Sequence, residues 1–522
     1  MDIFHFANNE LNARVCNYPY GKKAAFVQNS DTHMYPNEYL MFIIAMKHNI
    51  RMTTFINPYD QTVTVRGLKE GICDYDIYFP TDRWKNPVSG TIEIIPDYYG
   101  TAWTSAGASI FANAQIGQPK ATRAPNHGQE LFDISNGSYG YNFSTGIAGT
   151  TNLSEFKGLT EYLIQWFEEL TGKKPVSFSY RNGQNGGSLL FMPYFLGGRN
   201  SDLLQTNLTQ EWQDDFGRNN NGIYLGSPQQ ITSRSSRINQ RNSSRVKDMA
   251  SNLGFGTWAE VLEYAKEEMA EAVNTGGAVN DFIHRNQYSN DTTGRINFDN
   301  YLKSIDELPN SGDIWRWSYG EMLQYLFVRE IADKISAKVQ DNKILIVANK
   351  KDKYKSLFTS GIPEALNTEW FKNAFLSVEI DLTGTFLEGK NIKATPGTVY
   401  SLGNNKYTIQ IPFRNLAWGV FCAELTEAES ADYIDLSRPV ISNIVRSGNT
   451  ISFETNKDCI AWLAYYDTTL HASFGGLTGV NSNPEFKKIW SFDISTITNY
   501  SNKKFLIAVA DKEKQSNVSS EI

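Results

Sequence analysis

Apolar and polar positions follow alternating strand-like and helical spacings over roughly the first 375 residues. "KKAAFVQNS" predicts a short strand, "NEYLMFIIAMKHN" a helix with Asn37 as cap and Asn49 as stop, and "IRMTTFIN" the next strand. Strand, helix and strand at this spacing form a βαβ unit, which requires parallel strands.

Two later segments repeat the pattern. "TWAEVLEYAKEEMAEAVNTGG" predicts a helix that ends at glycines, and the apolar strand "AVNDFIH" follows it. "SYGEMLQYLFVREIADKISA" predicts a helix that opens with Ser318 and Glu321 in capping-box spacing. Repeated βα units over this length predict an α/β fold, a complete or distorted (β/α) barrel spanning residues 1–375.

Short alternating segments separated by Gly, Asn and Pro replace this pattern after about residue 376. They predict two small β-sandwich domains, over 376–436 and 437–522, the second of them fibronectin-III-like. Within the first domain, the polar, Ser- and Arg-rich segment 231–247 predicts an inserted loop. A solvated loop is the simpler interpretation, and a clamp for an anionic partner is the alternative.

The net charge and the hydropathy of the chain argue against two classes of protein, nucleic-acid binders and membrane-spanning proteins. A net charge of -7 argues against a general nucleic-acid binder, which presents a basic face to phosphates. No run of 18 apolar residues occurs, so no membrane span is expected. The first residues lack a basic segment followed by an apolar one, so we expect no signal peptide and synthesis in the cytoplasm.

Five segments occur in an order that is similar to a known enzyme family. They are "AAFVQNSDTHMYPNEYLMFIIAMKHNIRMTTFI", "FDISNGSYGYNF", "SFSYRNGQNGG", "VNDFIH" and "WRWSYGEMLQYLFVRE". On these segments the first 340 residues resemble the polysaccharide deacetylase (NodB-like) family, carbohydrate esterases built on a distorted α/β barrel. The last 150 residues lie outside the resemblance.

The resemblance implies a definite chemistry. Members of the family hold a divalent metal with one Asp and two His four positions apart, and the metal activates a water and polarises the acetamide carbonyl. A second Asp is the base, and a late His is the acid for the leaving amine.

This sequence departs from that template at most positions. The two His positions fall on Gly137 and Tyr141, and the Asp-Asp pair falls on Ser30 and Asp31. Glycine has no ligand atom, a phenol is a poor zinc ligand, and a serine hydroxyl without a partner is not a base at neutral pH. Only His284 keeps the place of the family acid. The interpretation is a degenerate deacetylase without catalysis and without a cofactor.

An active enzyme with shifted ligands is the alternative. Asp31, His33 and His284 would then form an improvised set of ligands for one divalent metal such as zinc. A weaker hypothesis is an esterase or glycosidase that uses the carboxylates of Glu130 and Asp133 alone. His127 is expected in an exposed loop before the motif.

What remains for the degenerate site is a shallow cleft at the carboxyl ends of the strands. Its aromatic, amide and guanidinium side chains would stack on a glycan and hydrogen-bond to it. The alternative is that they only fill the space left by the missing metal-ligand side chains. These side chains are Tyr139, Tyr141, Tyr180, Arg181 and Asn182. We therefore expect a structural or adhesive protein that assembles with other protein subunits, as a tail or capsid-associated component of a phage virion.

Overall fold

The computed structural model describes residues 11–32, 38–56, 73–78, 171–179, 257–284, 292–350, 374–413, 420–468 and 485–522, with short pieces at 83–85, 92–94, 164–165, 167–168, 197–199 and 476–478. The helices are α1 (Glu38–Lys47), α2 (Trp258–Thr275), α3 (Thr292–Asp306) and α4 (Tyr319–Ile331). The strands are β1 (Ala13–Val15), β2 (Ala24–Thr32), β3 (Thr53–Ile56), β4 (Asp74–Tyr78), β5 (Arg83–Lys85), β6 (Ile92–Ile94), β7 (Ser177–Ser179), β8 (Gly197–Arg199), β9 (Ala278–His284), β10 (Ile314–Trp315), β11 (Ala332–Gln340), β12 (Lys343–Lys350), β13 (Phe375–Asp381), β14 (Ile392–Thr395), β15 (Thr398–Gly403), β16 (Lys406–Pro412), β17 (Val420–Glu427), β18 (Ile441–Ser447), β19 (Thr450–Tyr466), β20 (Gly476–Thr478), β21 (Lys487–Asp493), β22 (Lys504–Asp511) and β23 (Ser516–Val518).

A parallel sheet forms the first part of the molecule. Its strand order is β10-β2-β3-β4-β7-β8, and β9 also pairs with β2. β2, α1 and β3 form the predicted βαβ unit, and β2 and β3 pair in parallel. Asn49 ends the helical segment with a left-handed backbone (φ 56°), as the sequence predicted. Over the described strands the sheet is an open path, so the closed barrel stays a prediction.

Both faces of the parallel sheet are covered. Along β2, Ala24 and Phe26 enter one hydrophobic core together with α1, α2 and α3. The alternate residues Ala25 and Val27 enter a second core together with α4. Burial of both faces explains why the strand "AAFV" is apolar without a break.

Capping residues set the helix ends that the sequence predicted. The Thr257 side chain and Glu260 form a capping box at the start of α2, and Gly276 ends the helix in the left-handed region (φ 73°). Ser318 and Glu321 form the same box at the start of α4. The predicted continuation of α4 through "ADKISA" is wrong. Residues from Ala332 onward form β11, because they pair with the apolar strand β12, a tertiary contact that outweighs helix propensity.

α1 is buried on all sides, from Tyr39 to Met46. It contacts α3 and also β22 and β23 of the C-terminal sheet, so no side of this helix needs a polar face. A helix apolar all round is expected in such a position.

Two four-stranded antiparallel sheets follow, in the orders β1-β13-β16-β15 and β11-β12-β17-β14. They draw strands from both sides of residue 376: β1 pairs with β13, and β12 pairs with β17. The predicted boundary at 376 therefore falls inside this pair of sheets.

The C-terminal sheet is organised around β19, a single strand of 17 residues. Ile460, Trp462 and Ala464 lie in the core shared with α1. The alternate residues Ala461 and Leu463 lie in a separate core. One face of this strand thus joins the C-terminal sheet to the parallel-sheet part of the molecule. Within the described ranges, no helix is both long and apolar enough to cross a bilayer.

Candidate functional site

The carboxyl edge of the parallel sheet is where the sequence predicted a site. Asp31 near the end of β2 lies directly opposite His284, the last residue of β9, in the parallel register. On its other side Asp31 lies opposite Phe55 of β3. Opposite residues on paired strands are about 5 Å apart, so the fold brings together two candidates that are about 250 positions apart in sequence.

Buried neutral side chains lead up to that edge. The Asn29 amide donates a short hydrogen bond to Oδ1 of Asn280 on β9. Ser30, next along β2, is 3% exposed and lies opposite Thr54 in the register. Amides and hydroxyls can bind and position a polar group, but none of them holds a negative charge at neutral pH. The fully buried carboxyl group of Asp281 on β9 lies opposite Gln28 of β2, so these amides and hydroxyls share the interior with an ionisable side chain.

Asp76 is a fully buried carboxyl group in β4. Its Oδ1 accepts from the backbone N–H of Val176 at 2.7 Å and of Ser177 at 3.0 Å, and its Oδ2 accepts from the Ser177 hydroxyl at 2.6 Å. Burial raises the pKa of Asp76 to about 7, against the opposing effect of the Lys173 charge. Gly320 leaves room for this carboxyl group, since a Cβ there would lie 3.3 Å from Oδ2.

These contacts make Asp76 a tether between β4 and the start of β7. A perturbed carboxyl group is a frequent feature of functional sites. Here both oxygens are occupied by protein donors and no surface is exposed, so the group is best explained as structural. The sequence alone gave no signal for it.

A cleft of about 560 Å³ lies at the opposite, amino edge of the sheet. Aromatic side chains, among them Trp317 and Phe375, form part of its wall. Ion pairs join Lys173 to Asp74 and Lys514 to Glu321 beside it. The nearby positive charge of Lys173 holds the pKa of Asp74 below its usual value, although burial alone would raise it. The lining lysines (Lys173, Lys174, Lys512 and Lys514) outnumber the lining carboxylates (Asp74, Glu321 and Glu513) by one, and two of the lysines are paired.

His48 connects α1 to α3. Its Nε2 lies 2.6 Å from Oδ1 of Asp299, and its Nδ1 lies 2.6 Å from Oδ2 of Asp306. Burial would lower the pKa of His48, but the hydrogen bonds to the two carboxylates outweigh burial and raise it. The carboxylates that stabilise the charged imidazole at the end of α1 both come from α3.

A pH dependence of stability is expected from this arrangement. Lys47 pairs with Asp299, and Arg316 pairs with Asp306, so these two cations also face the imidazole's carboxylate partners. Because the folded pKa of His48 is raised, its stabilisation is complete below the unfolded pKa of about 6.5 and is lost as pH rises through the folded value. Chemical denaturation at a series of pH values should show this decline in the parent. His48→Gln should remove that share of the slope, and an unchanged slope would contradict the assignment.

Most of the sequence-predicted site lies outside the described residues. For Asp31 and His284 the structure describes the strand position and not the side chain. The other predicted residues outside the described ranges are His33, His127, Glu130, Asp133, Gly137, Tyr139, Tyr141, Tyr180, Arg181, Asn182 and the loop 231–247. Among the described residues, no group of three or more His, Cys, Asp or Glu side chains is arranged to hold a metal ion.

Comparisons with known proteins add two similar solved structures. No family model and no curated protein matches the chain. The first is a protein from Mycobacterium smegmatis that is described as a polysaccharide deacetylase. It is 11% identical in sequence with a TM-score of 0.34, and the match covers 63% of this chain and 100% of that chain. The second is a mutant CE4-family pseudoenzyme with restored enzymatic activity. It is 11% identical in sequence with a TM-score of 0.26, and the match covers 59% of this chain and 69% of that chain. At these scores the likenesses do not assign the chain to a family.

Proposed function

We propose that this chain is a non-catalytic, deacetylase-like protein that binds a glycan at the carboxyl edge of its parallel sheet. It acts as a structural or adhesive component of a protein assembly, of the kind found in a phage virion. The parallel sheet and the order of the five sequence segments support the deacetylase-like architecture.

The single observation that carries the loss of catalysis is Ser30. It occupies the place of the first acid in the deacetylase motif, one residue before Asp31. Ser30 is 3% exposed at the end of a strand whose neighbouring buried side chains include the amides of Asn29 and Asn280. A serine hydroxyl does not take a proton from water at neutral pH, so the base of the deacetylase motif is missing at this position.

The donor set also does not fit a resident metal. Asp31 would be joined by Gly137 and Tyr141, which supply no atom that competes for zinc at neutral pH. One carboxylate is too few ligands for a divalent ion in competition with water. No catalytic step through a metal is therefore derived for this chain.

Glycan binding would use side chains that need no metal. Tyr139, Tyr141 and Tyr180 would present aromatic faces to a sugar ring. Arg181 and Asn182 would donate to its hydroxyl groups. Such a site recognises an N-acetylated sugar without cleaving it.

A second candidate function rests on one observation. Asp31 and His284 occupy adjacent register positions at the carboxyl edge, which is where a metal-dependent deacetylase with shifted ligands needs them. His33, two positions after Asp31, would be the third ligand. The candidate is a carbohydrate deacetylase with a non-standard metal site.

Metal content separates the two functions. The purified chain, dialysed against a weak chelator, is expected to contain almost no zinc, nickel, cobalt, manganese or iron by elemental mass spectrometry. Close to one equivalent of metal per chain, lost in Asp31→Ala and kept in the control Asp333→Ala, would refute the non-catalytic proposal. Asp333 is an exposed aspartate in β11. Release of acetate from N-acetylated oligosaccharides would refute it as well.

Binding is tested separately with the same oligosaccharides. Titration calorimetry should show saturable binding to the parent, and Tyr141→Ala should weaken it about tenfold, the typical effect of losing a stacking aromatic residue. Equal affinity of the parent and of Tyr141→Ala would contradict a glycan site at this edge.

A further inference from the structure

A second cavity, of about 370 Å³, lies away from the carboxyl edge. It is bounded by the end of α3, the residues after β10, and the segment before β18, so three distant parts of the chain meet there. Its volume is within the range of small-molecule sites in proteins. Tyr20, Trp315 and Trp317 form the aromatic part of its wall.

The charges around this cavity do not balance. Lys22, Arg316 and Arg438 line it, and Asp306 is the one lining carboxylate, which leaves a formal charge of +2. Asp306 is already bound, because it pairs with His48 and with Arg316. Asp306 also acts on Arg438, and Asp313 acts on Lys22, but Asp313 pairs with Lys23 and does not line the cavity.

Several donors of these cations are left over. Among the described residues, the hydrogen bonds of Arg438 leave from Nε, to the Ser516 carbonyl at 2.9 Å, and from Nη2, to the Lys47 carbonyl at 2.7 Å and to two weaker acceptors. Those of Arg316 all leave from Nη1. Nη1 of Arg438 and Nε and Nη2 of Arg316 therefore remain to donate to a ligand.

Lys22 adds a third donor group. Its Nζ donates to the Gly312 carbonyl at 2.6 Å, and an ammonium group has three protons to donate. Burial lowers the pKa of Lys22, the Asp313 charge opposes this effect, and the Arg316 charge adds to it. Burial also lowers the pKa of Arg438, with Asp306 opposing and Arg316 adding to the effect. Cations held together in this way against their mutual repulsion are stabilised by an anion placed between them.

We propose that this cavity is an oxyanion site, which binds the carboxylate or phosphate group of a small acid between Lys22, Arg316 and Arg438. The arginine forks suit the planar or tetrahedral oxygens of such a group. The partial burial of the cations strengthens their attraction for an anion relative to open solvent. The site is separate from the carboxyl edge, and the proposal does not depend on glycan binding or on the loss of catalysis.

Calorimetric titration of the full chain with inorganic phosphate and with malonate, at constant ionic strength, tests the proposal. Saturable binding of at least one of the two is expected. Tighter binding of phosphate identifies a phosphate ester as the natural class of ligand, and tighter binding of malonate identifies a carboxylic acid. Binding of neither anion would overturn the proposal.

Matched variants localise the binding. Lys22→Gln and Arg438→Gln should each weaken the affinity about tenfold, because each removes a charged donor. Lys23→Gln is the control for the first, since Lys23 pairs with Asp313 and does not line the cavity. Arg446→Gln is the control for the second, because Arg446 binds the carbonyls of Tyr500 and Lys503.

The folding of each variant is checked by its thermal melting curve. Arg438 holds carbonyl groups of α1 and β23, so Arg438→Gln could lose structure. Lys22→Gln removes only one hydrogen bond, to the Gly312 carbonyl. If Arg438→Gln does not fold, the comparison of Lys22→Gln with the parent tests the proposal. Unchanged affinity in a folded Lys22→Gln, or equal weakening in Lys23→Gln, would overturn the proposal.

Discussion

Trp462→Ala is expected to lower the free energy of unfolding by about 4 kcal/mol, the usual range for a buried aromatic residue in a core. Trp462 is fully buried in β19, on the face that shares a core with α1. Its removal leaves a cavity between the C-terminal sheet and the parallel-sheet part of the molecule. Since α1 has no polar face to expose, both sides of this contact lose apolar burial together.

Two comparison variants separate the cavity from other effects. Trp462→Phe keeps a ring in place and removes an indole N–H that has no acceptor among the described residues, so we expect a loss of only about 1 kcal/mol. Ile489→Ala, at a side chain 70% exposed on β21, should change stability by less than about 0.5 kcal/mol. Urea denaturation measures all three, and similar losses for Trp462→Ala and Ile489→Ala would contradict the role of this core.

Asp76→Ala is expected to lower the free energy of unfolding by about 3 kcal/mol, because it leaves buried donors without an acceptor. The donors are the backbone N–H groups of Val176 and Ser177 and the Ser177 hydroxyl. β7 should separate from β4 at this point. Hydrogen exchange of these two amides reports the change locally, and unchanged protection would contradict the tether.

Asp76→Asn is the matched control. Its carbonyl oxygen can accept from both N–H groups, and its amide can donate to the Ser177 oxygen, so stability near neutral pH should stay within about 1 kcal/mol of the parent. Burial raises the pKa of Asp76 to about 7, whereas the unfolded value is about 4. The protonated form is thus favoured in the folded state, and the contribution of Asp76 falls as pH rises from about 4 to about 7. The asparagine variant should lack that part of the pH dependence.

Local sequence signals predicted the elements that depend on local chemistry. The capping box at Ser318, the glycine end of α2, the turn at Asn49 and the parallel pairing of β2 with β3 were all predicted from spacing. Each depends on residues within a few positions or on one short βαβ unit. The elements of the first, α/β part of the chain could be predicted from the sequence for that reason.

Contacts between elements that are far apart in the chain could not be predicted from the sequence in the same way. The segment after Ile331 was assigned to a helix because its own pattern permits one, and only its pairing with β12 makes it a strand. The apolar helix α1 was predicted, but its contact with β22 and β23 lies more than 450 positions away in the chain.

The candidate sites also differ in whether a local sequence motif predicts them. Asp31 and His284 were found from motif order, and the register places them side by side. Asp76 and the cations Lys22, Arg316 and Arg438 carry no motif, because their function depends on groups that meet only after folding. Charge clusters assembled from separate segments have no local sequence pattern to detect.

The pairing of β1 with β13 has a consequence for how the protein is made. Arg14 of β1 and Glu379 of β13 are 365 positions apart, and Nη2 of Arg14 donates to both carboxylate oxygens of Glu379. A ribosome that adds about 5–20 residues per second needs at least about 20 seconds to travel between them. During that time β1 has no partner strand, because the other three strands of its sheet all begin at residue 375 or later. A nascent chain of this protein therefore needs shielding from aggregation, by a chaperone or by its own earlier folded α/β part, until β13 leaves the ribosome.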